Sequence, residues 1–83
     1  MKRDKNKIPK VFGEVLRELR LSLELTQDKL AELAKTERSH ISALERAEKA
    51  PSLSTIFVLA DALGMSANEL IKLVEEKLDA LRD

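Results

Sequence analysis

The chain has 83 residues, no cysteine and one histidine. That is room for one domain, and it excludes disulfides, thiolate metal sites and the usual Cys/His zinc site. Fifteen basic and fifteen acidic residues cancel, which argues mildly against nucleic acid, although residues 1–10 carry five basic groups and one acidic group. No apolar run reaches the ~20 residues of a membrane span. Glu14, Arg17, Glu18 and Arg20 interrupt the stretch after the basic start, against a secretory signal. The expected compartment is the cytoplasm.

Residues 1–9 read as a basic arm, either touching nucleic acid or simply solvated. Residues 10–83 read as one all-α domain of five helices, since Leu, Ala, Glu and Lys dominate and strand-like alternation is absent. The first helix begins near Pro9, which suits a first turn. Phe12, Val15, Leu16, Leu19 and Leu23 share its apolar face, opposite Glu14, Arg17, Glu18 and Arg20. Gly13 within it either permits a close helix contact or weakens the helix. The second helix starts at Thr26, an N-cap residue, with Asp28 near the positive end of the dipole. Leu25 and Leu30 form a hydrophobic staple there, and the helix buries Leu30, Ala31 and Ala34. The third can start from Thr36 and turns Ile41 and Leu44 inward. The fourth follows Pro51 and the N-cap Ser52, buries Leu53, Ile56, Phe57, Leu59, Ala60 and Leu63, and closes at Gly64. The fifth opens on a capping box, Ser66-Ala67-Asn68-Glu69, stapled by Met65 and Leu70.

The second and third helices, about residues 26–46, are short, closely joined and separated by small residues, the pattern of two helices packed at a steep angle. The outer side of the third is polar and thin enough for the ~12 Å major groove. There Arg38 suits guanine O6 and N7, Ser39 and Ser42 suit base edges, and Ala43 suits a thymine methyl. On pattern alone, a helical hairpin with one solvated face remains equally open.

The segment from Leu25 to Ile71 resembles the helix-turn-helix of the phage-repressor and Cro-like family. The matching points are Leu25-Thr26-Gln27, Leu30-Ala31, Ile41-Ser42, Glu45-Arg46, Pro51-Ser52-Leu53, Ala60, Leu63-Gly64 and Leu70. With the first helix included, the likeness covers about residues 10–74. Arg38-Ser39-His40-Ile41-Ser42 further resembles the controller proteins of restriction–modification systems. The resemblance implies that Arg38, Ser39, Ser42 and Ala43 face bases, while Gln27 contacts a phosphate and braces the third helix. It also implies that His40 lies against the DNA backbone and that Arg46 and Lys49 grip phosphate. His40 otherwise reads as a packing or surface group. No partner constellation makes it a catalytic base.

Glu24, Lys35 and Ala47 stand where the family often has glycine. Either the turns tighten or a strained backbone is tolerated at ~1 kcal/mol each. Glu37 and Glu45 are unfavourable beside phosphates unless they pair with Arg38 or accept from cytosine. At the C-terminus, Ile71, Val74, Leu78 and Leu81 form a narrow apolar stripe. It makes residues 71–83 a candidate dimerisation helix, or else one that folds back over the first helix.

The expectation is a non-enzymatic, sequence-specific regulator of transcription. It would bind a palindromic site in double-stranded DNA as a homodimer, without metal, cofactor or evident small-molecule effector. The competing expectation is an interaction module of the same fold that binds protein.

Overall fold

The structure is a computed structural model that describes residues 5–81. Lys2 and Arg3 of the expected arm lie outside those residues. Among the described residues five helices follow in order: α1 (Lys7–Ser22), α2 (Gln27–Leu33), α3 (Arg38–Glu45), α4 (Leu53–Ala62) and α5 (Ala67–Ala80). The all-α reading holds. α1 starts two residues before Pro9, so Lys7 and Ile8 belong to its first turn rather than to an arm; proline fits there because that turn's N–H groups have no helical acceptor.

Three helices begin on hydroxyl caps. Thr26 Oγ1 accepts from the Lys29 N–H at 3.0 Å, and Ser52 Oγ accepts from the Thr55 N–H at 3.1 Å. Ser66 Oγ accepts from the Glu69 N–H at 3.0 Å while Glu69 Oε1 accepts from the Ser66 N–H at 2.9 Å, satisfying two orphan donors reciprocally. These bonds favour the charged form and hold the Glu69 carboxyl below its ordinary range. α3 differs from expectation. Its N-cap is Glu37 with no side-chain cap bond; Thr36, one residue earlier, still belongs to the end of α2, its N–H donating to the Ala31 carbonyl at 2.9 Å, and its Oγ1 lies 3.0 Å from His40 Nδ1.

Four helices end in one motif. After α1, the Leu25 N–H reaches the Arg20 carbonyl and the Glu24 N–H the Leu21 carbonyl, both at 3.0 Å. Thr36 and Lys35 do the same after α2, Glu48 and Ala47 after α3, and Met65 and Gly64 after α4. The motif requires a left-handed residue just past the helix. Glu24, Lys35, Ala47 and Gly64 accordingly have φ of 57°, 55°, 60° and 73°. The turns do not tighten to avoid the strain; three side-chain-bearing residues accept it.

The core draws on every helix: Phe12 and Leu16 of α1, Leu30 of α2, Ile41 and Leu44 of α3, Leu59 of α4, and Leu70 of α5 are all buried. Gly13 sets the approach of α1 to α3. A Cβ there would meet the Leu44 carbonyl oxygen at 2.5 Å and that of Glu45 at 2.6 Å, so the glycine permits a close helix contact. Four expectations about burial need correction. Leu23 is exposed past the end of α1. Arg20, assigned to the solvated face, is buried. On α4, Leu53 is 70% and Phe57 55% exposed, because α4 is apolar on nearly all sides and only its Leu59–Ala60 side, continued by Leu63, meets the core.

The fourth correction concerns α5. Val74 is buried, Leu78 packs against the same core, and exposed Leu81 borders Lys7, Lys10, Val11 and Glu14 of α1. Lys77 Nζ donates to Glu18 Oε2 at 2.8 Å, which raises the Lys77 pKa. α5 therefore folds back over α1 of its own chain. Of the stripe proposed for dimerisation, Val74 and Leu78 are used internally, and Ile71 and Leu81 alone stay exposed.

Candidate nucleic-acid interface

Helix α3 is amphipathic over eight residues. Ile41 and Leu44 are fully buried in the core that also holds Ala31 and Ala34; the two alanines leave space for α3 to cross α2 closely. With the inner side fixed, the helical period turns Arg38, Ser39, Ser42 and Ala43 to the other side in two i, i+4 rows. Arg38 and Ser39 are exposed, and Ser42 and Ala43 are half-buried. Ser39, His40, Ala43 and Lys49 border one shallow depression with Thr36 and Glu37. The structure thus brings Lys49 beside residues of the expected base-reading set. His40 is half-buried and also borders a cleft against Ser54, Thr55 and Val58 of α4.

The helix pair is held by a brace that local pattern reading missed. Arg20 Nε donates to Glu45 Oε2 at 2.6 Å, and Nη2 donates to Glu45 Oε1 at 3.1 Å. Arg20 Nη1 donates to the Leu25 carbonyl at 2.8 Å. Gln27 Nε2 completes the set by donating to Glu45 Oε1 at 3.0 Å. The two charged side chains are 9% and 4% exposed, and their pairing holds the Arg20 pKa above its ordinary value. One carboxylate at the end of α3 thereby ties down the end of α1 and the start of α2. Glu45 is not a liability at the DNA face, as expected from sequence, because its charge is consumed internally. The expected bracing by Gln27 has this hydrogen bond as its physical form. A signal for Arg20 existed: it lies four residues after Leu16 and eight after Phe12, on the apolar row.

The remaining cations of the face are exposed. Arg38 is 65% exposed, its Nε 3.9 Å from Asp28 Oδ1, and Arg46 Nη1 lies 3.2 Å from Glu48 Oε2. Lys49 is exposed as well. Arg38 therefore pairs with neither Glu37 nor Glu45.

A helix pair in which the second member is clamped within and thin and polar without is the geometry of a groove-reading unit. Comparison with known proteins agrees: residues 16–70 match the family model described as helix-turn-helix. The chain belongs to the helix-turn-helix family. Control protein C.SmaI of Serratia marcescens is 36% identical over 64 residues, covering 77% of this chain and 76% of that protein. The crystal structure of the restriction-modification controller protein C.AhdI from Aeromonas hydrophila superposes with a TM-score of 0.72 at 40% identity, over 75% of this chain and 94% of that one. The controller protein C.Esp1396I, a tetramer in complex with its natural 35 base-pair operator, shares the fold with a TM-score of 0.80 at 20% identity, over 86% and 93% of the two chains. This helix-turn-helix protein is a DNA-binding transcriptional regulator of the phage-repressor and controller type. No helix among its described residues is long and apolar enough to cross a membrane.

Proposed function

We propose that two copies of this regulator bind an approximately palindromic duplex site, one α3 per half-site in successive major grooves roughly 34 Å apart. Arg38, Ser39, Ser42 and Ala43 read bases; Gln27, His40, Arg46 and Lys49 position the backbone. The observation that carries this reading is the division of α3: Ile41 and Leu44 are fully buried while Arg38 and Ser39 stand in water. Pairing runs through α4, where Leu53 and Phe57, one turn apart, are the most exposed large apolar side chains among the described residues. The protein acts in the cytoplasm, as a repressor or autoregulator, without catalysis.

The test is selection of duplex DNA from a random pool at a stated salt concentration, followed by binding of variants to the selected site. Arg38→Ala weakens that site by about 1–3 kcal/mol and relaxes preference at one base pair per half-site. Lys49→Ala weakens all sequences alike and lowers the salt slope by about 1 per subunit. A uniform loss on Arg38→Ala removes that residue from base reading. Failure to select any sequence leaves a protein-binding module of the same fold.

A further inference from the structure

Five acids lie between Thr26 and Ala50, and four of them have a cation of the chain nearby. Asp28 lies 3.9 Å from Arg38 Nε, Glu32 pairs with Lys29 at 3.1 Å, Glu48 pairs with Arg46 at 3.2 Å, and Glu45 is buried with Arg20. Glu37 is the exception. It is exposed, its side chain makes no cap bond, and it forms no ion pair among the described residues. It stands immediately before α3 and borders the shallow depression shared by Ser39, Ala43 and Lys49, which Arg38 does not border.

A carboxylate carried into the DNA face meets phosphates of its own sign, so it weakens every complex in which it finds no donor. Base edges in the major groove offer two amino donors, cytosine N4 and adenine N6. Adenine sets its N7 acceptor beside the amino group, and guanine and thymine present acceptors, all of which repel a carboxylate. Cytosine alone presents an amino group with no acceptor beside it on its own edge. We infer that Glu37 is a specificity-determining residue: its carboxylate accepts from the N4 amino group of one cytosine per half-site, at a base pair other than the one Arg38 reads, on the Ser39–Ala43 side of α3. The inference rests on the base-reading role proposed for α3 and names one of the bases. Glu37 works chiefly by rejection. The amino group offsets the lost hydration and the phosphate repulsion at cytosine, and both stay uncompensated at any other base.

The experiment selects duplex DNA at about 0.1 M salt with the parent, Glu37→Gln and Glu37→Ala, and then measures equilibrium binding to the parent's site. In one version of that site the cytosine is replaced by a pyrimidinone nucleotide that lacks the amino group. Neither substitution breaks a side-chain bond of the fold. The parent selects cytosine at one position per half-site, and Arg38→Ala leaves that preference in place. Glu37→Gln, which both donates and accepts, moves the preference to adenine. Glu37→Ala loses the preference, weakens the parent's site about tenfold and tightens random duplex about twofold. Removing the amino group weakens the parent about tenfold and Glu37→Ala by less than about twofold, as coupling between the two groups requires. If Glu37→Ala tightens all sequences alike, the carboxylate is merely repulsive and the inference fails. A parent that selects a site with no cytosine sensitive to Glu37 overturns the inference alone. A parent that selects no sequence overturns the regulatory reading and this inference with it.

Discussion

Arg20 shows how a single side chain decides whether the interface is rigid. Its partner Glu45 is 4% exposed, and a carboxylate left there without its guanidinium has no route to water. Breaking such a pair typically destabilises by 3–5 kcal/mol, a large part of the ~5–15 kcal/mol total of a domain. Arg20→Met should therefore lower the urea midpoint sharply. Arg20→Met combined with Glu45→Leu should recover most of the loss, because an apolar pair leaves no buried charge. The double variant should still bind DNA less well than the parent, since Gln27 loses the acceptor that fixes its amide. Recovery of stability without any recovery of folding cooperativity would contradict this account. The residue was half legible in the sequence. Its register on the apolar row was visible, but arginine is so rarely buried that a solvated face was the natural assignment. Its partner lies 25 residues away, where periodicity within one helix says nothing. The outward residues Arg38, Ser39, Ser42 and Ala43 were legible for the converse reason: one buried pair, Ile41 and Leu44, fixes the rotation of a short helix.

Among the elements, the helix ends carry the clearest stability prediction. Glu24 and Ala47 occupy left-handed positions, where a side chain crowds the backbone and glycine does not. The double change Glu24→Gly, Ala47→Gly should raise stability by about 1–2 kcal/mol and the melting temperature by roughly 4–16 °C. Neither substitution removes a cation from the DNA face. Thermal unfolding by circular dichroism decides it; an unchanged or lower midpoint would mean that unfolded-state entropy outweighs the relieved crowding. Starts and stops of helices were the most legible part of the fold. Thr26, Ser52 and the Ser66–Glu69 box cap the helices assigned to them, because capping is chemistry within four residues. Burial on α4 was not legible. Leu53, Ile56, Phe57, Val58, Leu59, Ala60 and Leu63 run round most of the helix beside a narrow polar edge of Ser54 and Asp61, and so broad an apolar surface does not state which part of it faces inward.

For the whole molecule, the decisive fact is that α5 closes the core of its own chain. The alternation of Ile71, Val74, Leu78 and Leu81 is equally good for a neighbouring subunit and for α1, and only the packing of Val74 and Leu78 against α1-side core residues distinguishes them. Removal of pairing should accordingly follow from α4. Leu53→Glu with Phe57→Glu should leave a folded protein that sediments as a monomer at concentrations where the parent is a dimer, and that loses affinity for a two-half-site duplex by well over tenfold. Leu78→Glu, by contrast, should lower the melting temperature, because it charges the domain's own interior. A Leu53, Phe57 variant that still sediments as the parent does would remove α4 from the pairing surface.

The fold-back of α5 has a consequence in time. Under the proposed pairing, a newly made copy, whose core is already closed by its own α5, would meet a mate as a finished molecule and would need no folding step on meeting it. Paired occupancy would then rise with the square of the copy number while copies are scarce, so early synthesis would produce almost no response and later synthesis would produce it abruptly. In that case the protein would count itself before it acts.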